Sequence, residues 1–278
     1  MVNYEAFGET MMGMTYEEIE EAVKKNAVVL LPVGVVEAHG PHLPLGTDIY
    51  ISLDQAIGIK RAFDKAGRAC LVAPPYYFGG TKAMTRQFAG TFTSSETHIV
   101  NEMRDILDSL NRFGFKRLVL QNAHGDEVQK RAMIRAIKEN NEVNEMKCYW
   151  PVYENELSWT GFTGGEEYLL KIDPIKDPIG FYEDRPSRTE FDIHAGGYET
   201  SMMMEICFEQ VRTERIEGLP LVDLKGEERY LWNEGEVENI HLVPKAYVGD
   251  PEHYKDVHFN PVIIYQEYAE CLMKRFEA

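Results

Sequence analysis

The sequence predicts an α/β fold in which a mostly parallel sheet is covered by helices on both faces. Three observations carry this reading: short apolar runs without alternation, helical stretches between them, and 278 residues at 44% hydrophobic content, enough to bury one substantial core. The clearest run is Ala27-Val28-Val29-Leu30-Leu31. A continuous, β-branched stretch of this length suits a strand buried on both faces, as a parallel sheet provides. Ala69-Cys70-Leu71-Val72-Ala73 and Arg117-Leu118-Val119-Leu120-Gln121 repeat the signature, and Lys147-Cys148-Tyr149-Trp150-Pro151-Val152 is a fourth.

The helices follow from caps and stops. Thr15-Tyr16-Glu17-Glu18 has capping-box spacing and opens a helix to about Lys25. Asp48 to Ala66 is a second helix. Thr93-Ser94-Ser95-Glu96 caps a third that Gly114 ends near Phe113, and Glu127 to Asn140 is a fourth. Ser201 to Val211 is expected to be helical. Asn260-Pro261 sets a cap and an N1 proline before a last helix reaching Arg275. Tyr153 to Glu190 lacks a clean period and is rich in Gly, Pro, aromatics and acids. It reads as a long excursion near the active site within one domain spanning residues 1–278.

Composition excludes some partners. A formal net charge of −17 argues against nucleic acid and anionic membranes, which require a basic footprint. No apolar run reaches the length of a membrane span; Ala27 to Val36 is broken by Pro32 and Gly34. The start, Met1-Val2-Asn3-Tyr4-Glu5, shows no export signal. Cys70, Cys148, Cys207 and Cys271 are scattered without CxxC spacing and read as reduced core residues of a cytoplasmic protein.

Three clusters carry chemistry. Glu37-Ala38-His39 follows the first strand directly, and Asp48 comes nine residues after His39. Residues two apart on an extended chain share a face, and the carboxyl edge of a parallel sheet is where such folds place ligands. Gln121-Asn122-Ala123-His124-Gly125-Asp126 emerges at the same edge after the third strand. Asp192-Ile193-His194 and Glu199 form the third group. Imidazoles and carboxylates without thiolates suit catalytic Zn²⁺, Mn²⁺ or Fe²⁺ better than a closed structural zinc centre. Asp48 has an oxygen for each of two ions, and two ions sharing a water would make it a bridging hydroxide at neutral pH. No G-x-S-x-G elbow, Walker A loop or G-x-G-x-x-G turn competes with this reading.

Together, Leu31-Pro32-Val33-Gly34 through Glu37-Ala38-His39-Gly40-Pro41-His42-Leu43-Pro44-Leu45-Gly46-Thr47-Asp48, Asn122-Ala123-His124-Gly125, and His194-Ala195-Gly196 with Glu199-Thr200-Ser201 resemble the creatininase (creatinine amidohydrolase) family. The resemblance implies an αβα sandwich, a homo-oligomer (often a hexamer) and two metal ions per subunit. By motif position it makes Glu37, His39, Asp48 and His124 ligands, with Asp48 bridging. His194 becomes the catalytic histidine that carries a proton from the attacking water to the leaving group. The fifth ligand stays open between Asp126 and Glu199. Some members have a Glu at the position of Asp126; many have Gly there and rely on the Glu of the E-T-S segment.

The implied activity is hydrolysis of a small cyclic amide or related C–N bond. The alternatives are ring-opening of a cyclic diketo-polyol, as by a 3-dehydro-scyllo-inosose hydrolase, and a non-catalytic metal-binding assembly protein. Trp150, Tyr153 and Trp159, with Phe162 and Phe181, are candidates to wall a flat substrate, or else to anchor the excursion on the body.

Overall fold

The computed structural model describes residues 5–154, 157, 162–172 and 179–277. Strands β1 (Val28–Val33), β2 (Cys70–Val72), β3 (Arg117–Asn122), β4 (Lys147–Tyr153) and β5 (Leu169–Ile172) form one sheet in the order β2-β1-β3-β4-β5. Every neighbouring pair is parallel.

The short α1 (Glu5–Gly8) precedes α2 (Tyr16–Lys24), which the predicted capping box starts: Glu18 N–H donates to Thr15 Oγ1, and Thr15 N–H to Glu18 Oε2. The remaining helices are α3 (Thr47–Lys65), α4 (Glu96–Phe113), α5 (Glu127–Val143), α6 (Gly197–Ile206), α7 (Glu227–Glu234) and α8 (Pro261–Glu277). Ser95 caps α4 and Asn260 Oδ1 accepts from Ile263 at the start of α8.

The two sheet faces divide β1 residue by residue. Val29, Leu31 and Val33 pack with Ile99 and Met103 of α4 and Met133 and Ile137 of α5. Val28 and Leu30 face Ala56, Ile59 and Phe63 of α3, with Tyr268 and Leu272 of α8 behind them. Both faces are therefore buried, so β1 is apolar without alternation. This is the αβα sandwich expected.

Two expectations change. The stretch 153–190 is not only loop: Leu169–Ile172 adds β5 to the sheet, and β6 (Ile179–Phe181) pairs antiparallel with β7 (Val257–Phe259). These strands are four and three residues long, too short for a period to declare itself, and are held by partners distant in sequence. The helix expected from Ser201 to Val211 begins earlier, at Gly197, and ends at Ile206, so Glu199 sits in its first turn.

The sheet order places the site. From β1 the chain moves outward to β2 and then returns to β3 on the other side, so the carboxyl ends of β1 and β3 flank a topological switch point, where open α/β sheets bind ligands. Among the described residues no helix is long and apolar enough to cross a membrane.

Candidate metal centre

After β1 the chain is pinned from several directions. Gly34 N–H donates to Tyr76 O at 3.0 Å, Glu37 N–H to Leu45 O at 3.0 Å, and Gly40 N–H to Ala246 O at 2.8 Å. At Gly34 a Cβ would lie 2.7 Å from Asp48 Cβ, so glycine is what lets the first turn of α3 press against the end of β1.

This approach brings Asp48 to the middle of the cluster. Its Oδ1 lies 3.1 Å from His39 Nε2, and its Oδ2 lies 3.1 Å from His124 Nδ1. Glu37 Oε1 is also 3.1 Å from His124 Nδ1, and Glu199 Oε2 is 3.7 Å from His39 Nε2. Two groups thus share Asp48: Glu37, Asp48 and His124 on one side, and His39, Asp48 and Glu199 on the other. His39 Nδ1 lies 3.1 Å from Glu37 O. A carbonyl only accepts, so Nδ1 is the donor there, and Nε2 faces the carboxylates.

His194 stands beside the cluster with its ring centroid 4.2 Å from that of His39. Its Nε2 is 2.8 Å from Ala38 O and must carry the proton of that bond, while Nδ1 faces Glu37 Oε1 at 3.9 Å.

The site is desolvated: His39 is 0% exposed, Glu37 and Asp48 1%, and His124 8%. Burial would raise Glu37, but His124 and His194 bring it down to about 2. Burial likewise opposes Asp48, which His39 and His124 hold below the usual carboxylate range. Burial would lower His39, yet Asp48, Glu199 and Glu37 hold it up at about 10; His124 rises for the same reason under Glu37 and Asp48. Glu199, pushed up by burial against the pull of His39, reaches about 7. His194 is pushed down to about 4, by burial first and the nearby His39 second. Among the described residues no Lys or Arg lies within ion-pair distance of Glu37, Asp48 or Glu199. The ion-pair partners of these three carboxylates among the described residues are all imidazoles.

Asp126 is elsewhere, contrary to its place among the expected ligands. Its Oδ1 caps α5 by accepting from Val128 N–H at 2.8 Å, and its Oδ2 accepts from Lys82 and Ala83 N–H at 2.8 and 2.9 Å. Glu199, not Asp126, reaches the cluster. Nor do the expected aromatics that fall among the described residues form a pocket wall. Trp150 is buried against Phe162 in the core, with ring centroids 5.4 Å apart, and Tyr153 packs on Tyr268 and donates to Glu267 Oε2 at 3.2 Å. Phe181 packs on Tyr198 and His253. The aromatics among the described residues anchor the excursion on the body. Trp159 lies outside the described residues.

Three further residues adjoin the site, and two of them, Thr85 and Trp232, had no motif to announce them. Thr85, in the 3-10 turn Met84–Gln87, donates to Glu37 Oε2 at 2.5 Å. Trp232 of α7 sits with its ring 5.6 Å from that of His194. His42 lies in the recognised segment, but only the fold shows its 2.8 Å bond to Thr200 Oγ1 on α6.

The sequence model of the creatininase family (creatinine amidohydrolase) matches residues 12–257. The chain is 27% identical over 211 residues to creatinine amidohydrolase of Pseudomonas putida, covering 73% of this chain and 74% of that protein. It is 29% identical over 210 residues to a mycofactocin precursor peptide peptidase of Mycobacterium ulcerans, covering 70% of this chain and 66% of that protein. A 3-dehydro-scyllo-inosose hydrolase of Thermotoga maritima matches at 28% over 114 residues, 41% of this chain and 35% of that protein. Among solved structures, a creatininase in its Mn form superposes with a TM-score of 0.68 at 21% identity, covering 97% of this chain and 99% of that one. The chain therefore belongs to the creatininase family and is a hydrolase.

Proposed function

We propose that this chain hydrolyses the C–N bond of a small cyclic amide at a pair of divalent cations sharing Asp48. The observation that carries the proposal is the split of the Asp48 carboxylate, one oxygen toward His39 and the other toward His124, each at 3.1 Å. Glu37, Asp48 and His124 would hold one cation, and His39, Asp48 and Glu199 the other. The residues fit such a pair. Three carboxylates converge without a Lys or Arg, and the buried Glu37 Oε1 and His124 Nε2 have no hydrogen-bond partner among the described residues. A donor set of oxygen and imidazole nitrogen suits Zn²⁺ or Mn²⁺, with Fe²⁺ also compatible. Such a pair would supply an activated water and polarisation of a substrate carbonyl.

The protein supplies the rest. Burial keeps the His194 ring neutral and Nε2 holds its one proton against Ala38 O, so Nδ1 is free to take the proton of the attacking water and return it to the departing nitrogen. The ring is fixed for this transfer between His39 and Trp232. Thr85 holds Glu37 by its second oxygen, so Oε1 stays turned to the cluster. Exclusion of water strengthens every charge interaction within the site.

The Pseudomonas putida relative is named for cleaving an amide ring and the Mycobacterium ulcerans one for cleaving a peptide; both names denote C–N bonds. The diketo-polyol alternative rests on a match to 41% of this chain. A cytoplasmic homo-oligomer, hexameric in the family pattern, completes the proposal.

Metal analysis and turnover of the wild type and His194→Ala test it, on creatinine, a short peptide and a cyclic diketone. Two ions per chain in both proteins, with amide turnover in the wild type alone, is the expected result. Normal turnover by His194→Ala would remove its proton-transfer role, and activity on the diketone alone would remove the amide substrate.

A further inference from the structure

Asp192 touches none of the metal-facing atoms, yet it joins the two strands of chain that present His194 and Glu199. Its Oδ2 accepts from Gly197 N–H at 2.8 Å, its Oδ1 from Tyr198 N–H at 3.0 Å, and its Oδ2 again from Asp250 N–H at 3.2 Å. The first two amides open α6, whose N-cap residue, Gly196, offers no side chain. The third belongs to the segment that pairs with His194: Val248 N–H donates to His194 O at 2.8 Å, and His194 N–H to Val248 O at 3.2 Å.

Between these anchors the backbone turns sharply. Ala195 takes φ 48°, a left-handed conformation unusual for a residue with a Cβ, and its N–H donates to Glu199 Oε2 at 2.6 Å. The surroundings leave room for the carboxylate and little else. A Cβ at Gly196 would fall 2.4 Å from Asp192 Oδ1, and one at Gly249 2.7 Å from Oδ2. Arg188 pairs with Asp250 Oδ2 at 2.6 Å and offsets the second acid of this region.

We propose that Asp192 is a positioning residue for the metal centre: by holding the Gly197, Tyr198 and Asp250 amides, it keeps Glu199 in reach of His39 and Asp48 and fixes the turn that presents His194. This rests on the reading of Glu199 as a ligand. A carboxylate offers two oxygens to three backbone donors; Asn offers one oxygen and an NH₂ that repels them, and Ala offers neither.

The test uses the full chain stripped of metal and titrated with Mn²⁺, comparing wild type, Asp192→Asn, Asp192→Ala and Glu199→Gln. The readouts are binding by calorimetry and the rise in melting temperature that Mn²⁺ gives each variant over its own metal-free form. That rise cancels any general loss of stability, and a pure capping role would leave it unchanged. The expected result is that Glu199→Gln loses one ion, and that both Asp192 variants bind that ion on the order of 10- to 100-fold more weakly. If Glu199→Gln binds two ions at wild-type affinity, the ligand reading fails and the positioning role falls with it. If Glu199→Gln loses an ion while Asp192→Asn and Asp192→Ala match wild type in affinity and thermal increment, the positioning role alone is overturned. Should Asp192→Ala fail to fold, Asp192→Asn decides.

Discussion

Thr85 donates its hydroxyl to Glu37 Oε2 at 2.5 Å, from a 3-10 turn 48 residues further along the chain. Both groups are buried, so the bond governs which way the carboxylate faces. Thr85→Val keeps the shape and removes the donor. It should weaken Mn²⁺ binding roughly 10-fold or more and cost about 1–3 kcal/mol of stability, the penalty for an orphaned buried acceptor. Calorimetric titration together with chemical denaturation measures both. A variant with wild-type metal affinity would mean that Glu37 needs no orienting partner.

Asp126 and Glu199 should separate cleanly under substitution. Asp126→Ala removes the α5 cap and strands the Lys82 and Ala83 amides, so about 1–3 kcal/mol of stability is lost. Its metal content should remain that of the wild type. Elemental analysis of purified Asp126→Ala decides this, and loss of an ion would restore Asp126 as a ligand.

His42 makes stability depend on pH. Burial first, then the nearby His39 and His194, push it down to about 4, against an ordinary value near 6.5. The folded state therefore binds its proton less readily than the unfolded chain. The stability that neutral His42 contributes is whole above pH ~6.5 and drains as pH falls toward 4, by up to ~3 kcal/mol. Melting curves of wild type and His42→Asn from pH 7.5 to 4.5 should converge as the pH drops, and parallel curves would show that folding leaves the affinity of His42 for its proton unchanged.

Gly58 sits where α3 crosses α8, and a Cβ there would lie 2.3 Å from the ring of Tyr265. Gly58→Ala would gain up to ~1 kcal/mol of helix propensity, but overpacking costs about 1–3 kcal/mol. A net fall in the melting midpoint is expected, and a more stable variant would mean that Tyr265 moves aside without penalty.

Much of this was legible in the chain. The continuous apolar run of β1 declared a strand buried on both faces, and Thr15, Ser95 and Asn260 marked helix starts that the structure shows. Glu37, His39, Asp48, His124, His194 and Glu199 were recognisable because each sits at a strand end or in a dense loop motif. The choice between Asp126 and Glu199 was not legible, since both acids follow a histidine closely. Only the start of α6 at Gly197 turns Glu199 inward, while the amides of Lys82 and Ala83 hold Asp126 away. Trp150 and Tyr153 were unreadable for a related reason: an aromatic at the edge of an irregular stretch looks the same whether it faces a ligand or the core. Thr85 and Trp232 carry no local pattern, and tertiary packing alone brings them to the site.

The order of the donors along the chain has a consequence for biosynthesis. Glu37 and His39 follow β1, Asp48 lies in the first turn of α3 and His124 follows β3, whereas Glu199 and the Val248–Asp250 segment behind His194 arrive far later. The chain through α5 carries Glu37, His39, Asp48 and His124 but neither His194 nor Glu199. On the proposed reading of the site, the donors for a pair of cations would be complete only once the C-terminal half has been made, because His194 and Glu199 both lie beyond α5.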